Sequence, residues 1–153
     1  MIVFRLCKEK YRNELSGKGA EMSGGRWNSI GNAIIYTAES RALCTAEIAV
    51  HTPLGIVPKD YFLISIEIPE DIKIKQSDVN SLPKNWRTFP HIPGTKKIGD
   101  EFVNQNDFFV LKVPSAIIQD EFNHLINPGH KDFTKIKIQS VESFKFNQRL
   151  FDR

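Results

Sequence analysis

The chain has 153 residues, 41% of them hydrophobic and 25% charged, the make-up of one soluble globular domain that buries roughly 68–70% of its unfolded surface without staples. A net charge of +3 is too small to argue for nucleic acid by itself, and two cysteines, Cys7 and Cys44, form neither a disulfide framework nor a metal-binding set. The opening MIVFRLCKEK places Arg5 and Lys8 inside its apolar run, which excludes a signal peptide and a membrane span and leads us to expect a cytoplasmic protein.

Ile2 to Leu6 predicts a first strand, interrupted by Arg5. Lys8 to Ser23 is polar and reads as loop with a helical turn. GKGAEM at Gly17 lacks the third glycine of a dinucleotide fingerprint and does not directly follow a strand, and neither GxxxxGK[ST] nor HExxH occurs.

The stretch from Gly24 to His51 concentrates the chemistry. Gly24 and Gly25 permit a sharp turn that aims Arg26 and Trp27 in fixed directions. Ala33 to Thr37 reads as a short buried strand with Tyr36 near its end. Thr37 or Ser40 then caps a helix, which Pro53 stops after about His51. Leu43, Ala46, Glu47 and Val50 follow the spacing of one helical face, so Glu47 lies in the inward stripe. An unpaired buried carboxylate loses several kcal/mol of solvation. Arg26 is the candidate partner.

Thr52 to Pro58 is a turn region, and Tyr61 to Ile68 alternates as a strand whose pattern resumes at Ile72 and Ile74 after Pro69. Ser77 to Pro93 reads as an ordered loop anchored by Trp86. Gly94 to Asn106 predicts a helix with Ile98, Phe102 and Gln105 on one side. Phe108 to Val113 predicts a central strand ended by Pro114, which leaves Ser115 at the sheet rim. Leu125 to Pro128 reads as a strand end, and Thr134 to Ser140 with Ser143 to Asn147 as a terminal hairpin carrying its lysines on a solvated face. No repeat or low-complexity tract marks a boundary, so residues 1–153 are expected to form one domain.

GGRWN at Gly24, IYTAES at Ile35, AEIAVH at the helix end, LPKNW, IGDEF, VPSA at Val113, NPGH at Asn127 and the closing FNQRL together resemble the RES domain, the toxin half of RES–Xre toxin–antitoxin pairs. The blocks run in the family's order through nearly the whole chain; Phe102 stands where the family often has Trp, which touches packing more than chemistry. The resemblance implies an α+β fold of the ADP-ribosyltransferase-like kind, one compact domain with a mainly antiparallel sheet core and short helices. It further implies a toxin that arrests growth by cleaving the nicotinamide–ribose bond of NAD+, with NAD+ as substrate and no cofactor. The implied partner is an Xre-type helix-turn-helix antitoxin in a hetero-oligomer, with no direct nucleic-acid binding. Arg26, Tyr36, Glu47 and Ser115 match the family's functional positions, with Arg5 as a further binding residue.

The residue chemistry is compatible. Breaking an N-glycosidic bond develops positive charge on the ribose, which a carboxylate such as Glu47 stabilises. Nicotinamide leaves neutral, so neither a general acid nor a metal is required. Arg26 and Arg5 offer planar forks to a pyrophosphate or ribose hydroxyls, Tyr36 a ring for the nicotinamide, and Ser115 a hydrogen bond at the sheet rim. His51, four residues after Glu47, shares its face and is a candidate support or a packed histidine. The residues alone leave open a structural Arg26–Glu47 pair, a core Tyr36 and a turn Ser115. ADP-ribosyl transfer to a protein or small acceptor, a nucleotide-binding module without turnover, and an RNA-cleaving toxin are the alternatives; for the last, the basic patches are thin and carry no interleaved aromatics.

Overall fold

Hydrophobic alternation organises the molecule around a seven-stranded sheet that a computed structural model describes for residues 1–152. The strands are β1 (Ile2–Lys8), β2 (Ile35–Ala38), β3 (Tyr61–Glu67), β4 (Ile74–Gln76), β5 (Val110–Pro114), β6 (Phe122–Ile126) and β7 (Lys137–Phe144). Their spatial order is β4-β5-β6-β2-β1-β3-β7, and every pairing is antiparallel except β4 with β5. Three helices complete the fold: α1 (Lys18–Ser23), α2 (Arg41–Val50) and α3 (Pro93–Gln105). This is the α+β architecture that the resemblance implied. Among the described residues, no helix is long and apolar enough to cross a membrane.

The central strands are apolar on both sides because both faces of the sheet are covered. Ile35, Val110 and Ile126 join Val3, Ile64, Ile66 and Phe109 in one core. Their sequence neighbours Tyr36, Leu111 and Leu125 pack in the other, with Trp27, Ile34, Trp86 and Phe102. Trp86 does anchor the long loop, its ring 6.1 Å from that of Trp27. The two indoles hold the loop and the glycine turn together.

The predicted terminal hairpin is corrected: residues 137–144 form one strand along β3. The apparent break in alternation is a bulge, where the register steps from Ser65↔Ser140 to Ile66↔Ile138. Such a bulge bends a strand without reversing it, and no Gly, Asn or Asp stands between Ser140 and Ser143 to make a turn. Pro114 ends β5 as expected, standing as its last residue and paired with Phe122, while the strand begins at Val110 and not at Phe108. Ser40, not Thr37, caps α2 by accepting the Leu43 N–H at 3.0 Å. Val50 departs from the expected inward stripe and is 55% exposed, because the last turn of α2 overhangs a cleft instead of the core.

That cleft begins where pairing fails. β1 meets β2 at one register pair, Phe4↔Ala38, whereas it meets β3 at seven. α2 lies across the junction and packs on both strands. Cys44 faces the opening, its thiol donating to the Phe4 carbonyl at 3.1 Å, and burial pushes that thiol up to about 12.

On the other side α3 presses on the glycine turn, and a Cβ at Gly99 would stand 1.5 Å from the Trp27 carbonyl oxygen. Alanine in a helix is otherwise favourable by about 0.8–1.0 kcal/mol over glycine. Backbone cannot yield as a side-chain end can, so Gly99→Ala is expected to lower unfolding free energy by about 1–3 kcal/mol. Denaturant titration checks it, and a variant as stable as wild type would mean that α3 is free to shift.

Candidate active site

The cleft between β1 and β2 deepens into a cavity of about 720 Å³. Its walls come from pieces of chain distant in sequence, among them residues 4–6 of β1, the turn at 24–27 with Tyr36 to Ala38, α2 from Cys44 to its C-cap His51, Arg87, Phe89 and His91 of the long loop, and Ala116, Ile117 and Asn123. Arg5, Arg26, Tyr36, Glu47 and His51 all line it. The five come together although they span 47 positions of the chain.

Tyr36 is the most rigidly held. Its hydroxyl donates to Asn28 Oδ1 at 2.6 Å and accepts the Trp27 N–H at 3.1 Å. Burial pushes its pKa upward, so the phenol stays neutral. Asn28 is fully buried and donates through Nδ2 to the carbonyls of Ala20 at 2.8 Å and Asn32 at 3.0 Å. Gly25 is needed because its backbone passes close to the phenol: a Cβ there would lie 2.7 Å from the Tyr36 oxygen. The following residues are fastened to α3 by Asp100, which accepts the Ser29 N–H at 2.9 Å, the Ser29 hydroxyl at 2.6 Å and the Asn32 amide at 2.8 Å. Burial works to raise the Asp100 pKa, but these bonds hold it below the usual carboxylate value.

Arg26 and Glu47 do not form the expected close ion pair; no contact within 4.0 Å joins them among the described residues. Arg26 Nη1 instead donates to the carbonyls of Trp86 at 2.6 Å and Thr88 at 3.0 Å. The guanidinium thereby ties down the loop that carries Arg87, Phe89 and His91. Glu47 keeps its place in the cavity wall, where burial raises its pKa and the Asn123 amide and the more distant Arg26 charge lower it in part. The result is a carboxylate held near a cation without being neutralised by contact.

Ser115 is buried but is not among the residues lining the cavity. Its hydroxyl accepts the N–H groups of Ile117 at 3.1 Å and Ile118 at 3.0 Å, so it shapes the turn that brings Ala116 and Ile117 to the wall. The sheet-rim position is as expected, with the oxygen directed into its own loop. His51 is the exposed residue after α2, its ring 5.9 Å from that of Phe89. Among the described residues, no cluster of three or more His, Cys, Asp or Glu is arranged to hold a metal ion.

Sequence reading missed Asn28, Asn123 and the loop residues Arg87, Phe89 and His91. Asn28 lies inside GGRWN and could have been drawn from that block. Asn123 carries no local signal; it reaches the site because β6 pairs with β2 in the register Ala38↔Asn123.

Comparisons with known proteins cover nearly all of the chain. A family profile described as the RES domain matches residues 2–147. The Toxin Res of Photorhabdus laumondii is 38% identical over 147 residues, covering 95% of this chain and 93% of its own. The Prs ADP-ribosylating toxin of a Sphingobium species is 36% identical over 140 residues, covering 90% and 87%. The crystal structure of the M. tuberculosis MbcT-MbcA toxin-antitoxin complex contains a chain with TM-score 0.74 at 19% identity, covering 98% of this chain and 86% of that one. At that identity the likeness is one of fold.

The buried charge has a consequence for stability. A carboxyl whose pKa is raised on folding is a favourable group while protonated and a burden once ionised, so its cost grows as pH rises through the ordinary glutamate range. Glu47→Gln is therefore expected to melt above wild type at pH 7, by about 2–4 °C for each kcal/mol of charge burial relieved. The gap should close as the pH falls below the ordinary glutamate range. Equal melting at pH 7 would show that the carboxylate bears no such burden.

Proposed function

Because this chain belongs to the RES-domain family, we propose that it is the toxin of a toxin–antitoxin pair and that it consumes NAD+ as a substrate in the cytoplasm. Glu47 carries the reading: a partly desolvated carboxylate in the wall of a cavity large enough for a dinucleotide, whose lining also carries Arg5, Arg26 and Arg87. The bond between ribose C1 and the nicotinamide nitrogen breaks, its electron pair leaves with nicotinamide, and Glu47 stabilises the cationic sugar. Water then adds to give ADP-ribose and a proton, or phosphate adds to give ADP-ribose phosphate.

Arg26 and Arg5 hold the dinucleotide in this reading. Arg26 has Nη2 and Nε to offer, since Nη1 is its only atom hydrogen-bonded among the described residues. Tyr36 presents its ring face to the nicotinamide end, its hydroxyl locked by Asn28 and the Trp27 N–H. His51 supports the rim, and Ser115 acts through the 116–118 turn. The partner is an antitoxin, supported by the toxin names of the relatives and the toxin-antitoxin title of the structural neighbour; its Xre-type helix-turn-helix character rests on the sequence resemblance alone.

A second reading, ADP-ribosyl transfer to a protein acceptor, is supported by the name of the Sphingobium relative. Incubation with NAD+ labelled in the adenylate separates the two: free ADP-ribose favours hydrolysis, and label retained on a protein favours transfer.

The purified protein is expected to release nicotinamide from NAD+, and Glu47→Gln to lower kcat by about 10²–10³, the usual loss on removing one electrostatic stabiliser. Retention of full activity by that variant would exclude the mechanism. Activity should require the ionised carboxylate, so kcat/KM should rise with pH through a pKa above the ordinary glutamate value. In Asn123→Ala the limb should move further up, since a group favouring the anion is gone. A limb that stays put or moves down would assign it to another group.

A further inference from the structure

An exposed aromatic at the mouth of the cavity remains outside the machinery described above. Phe89 is 71% exposed yet lines the cavity, and its ring is flanked by two imidazoles, His91 at 5.2 Å edge-on and His51 at 5.9 Å. It packs in none of the three core clusters, so the fold has no use for it there. The chain leading into it is nevertheless well supported: the carbonyls of Trp86 and of Thr88, the residue just before Phe89, are held by Arg26, and Trp86 is buried against Trp27.

The place of Phe89 relative to Glu47 is set by α2. His51 follows Glu47 by four residues, a rise of about 6 Å along the helix, and the Phe89 ring lies 5.9 Å from that of His51. Arg26 and Arg87 line the wall as well. One cavity thus offers an exposed aromatic ring, guanidinium groups and a largely buried carboxylate, the chemistries that suit a base, a pyrophosphate and a ribose.

We infer that Phe89 is the stacking platform for the adenine of the dinucleotide, with His51 and His91 as its flanks. This rests on the proposed NAD+ reading and adds the end of the ligand that reading leaves unassigned. Adenine has no charge, so an aromatic face is the surface that best holds it, and π-stacking tolerates the partial exposure of a rim site. His91 lines the cavity beside this ring, edge-on to it. Burial, followed by the charges of Arg26, His51 and Lys96, lowers its pKa, which favours the neutral ring beside the platform.

Equilibrium titration with ADP-ribose and with ribose 5-phosphate tests the assignment, since the two differ by the adenylate portion and neither requires turnover. Wild type is expected to prefer ADP-ribose. In Phe89→Ala that preference should fall by roughly 5- to 150-fold, the range for loss of one base–aromatic stack, and in Phe89→Trp it should be kept. Exposure of the side chain makes unfolding an unsuitable explanation, which matched melting curves would document.

A preference unchanged in Phe89→Ala, or a wild type that binds no ADP-ribose, overturns the assignment; the first result would leave Phe89 as a contact for a partner protein. Nicotinamide release by wild type, measured alongside, keeps the two ideas apart. Release with a Phe89-independent preference sinks the platform alone. A Phe89-dependent preference without release sinks cleavage and leaves the adenine site standing.

Discussion

Everything that resembles a site in this protein follows from the failure of β1 and β2 to stay paired beyond Phe4 and Ala38. Backbone groups released from a ladder must find other partners or face water, and two devices meet that need here. Cys44 reaches across from α2 to the Phe4 carbonyl, and the remaining opening becomes the cavity. A sheet continuous through this point would bury the same residues and have no cleft. The fold thus gives up ladder hydrogen bonds at its centre, and its two halves are held together by α2 lying across the gap.

The second constraint is rigidity around Tyr36. A phenol with both hydrogen-bonding capacities used by Asn28 and Trp27 cannot turn, and Asn28 is itself bonded to two carbonyls of the surrounding loop. Asp100 extends the same network to α3. A substrate ring entering such a site meets a fixed surface, so less ordering is required on binding. Glu47 stands in contrast. Its environment raises the free energy of the charged form, the condition under which a carboxylate interacts most strongly with a cation that forms beside it. Stability and chemistry pull in opposite directions at this residue.

Arg26 connects these two parts. Bound to the Trp86 and Thr88 carbonyls, it is as much a fastener for the long loop as a ligand for substrate, which explains why the close pair with Glu47 does not form. A direct ion pair would satisfy both charges and leave neither for a ligand. Held apart, the guanidinium keeps the loop in the cavity wall and still contributes positive potential at the carboxylate.

Local patterns accounted for much of this: the capping serine and length of α2, the strand alternation, the anchor role of Trp86, and the convergence of Arg26, Tyr36 and Glu47 in one stretch follow from residue types and spacing over short distances. The block order pointed to the family. What the chain could not reveal locally is whatever depends on register and on where one segment lies against another. Asn123 reaches Glu47 only through the pairing of β6 with β2, Arg26 chooses carbonyls sixty residues away, and Ser115 turns its oxygen into its own loop. The bulge that makes one strand of a seeming hairpin exists only against β3. Each is a choice among partners of similar local chemistry, and such choices are made by which backbone comes near, a property of the assembled sheet and of no single segment.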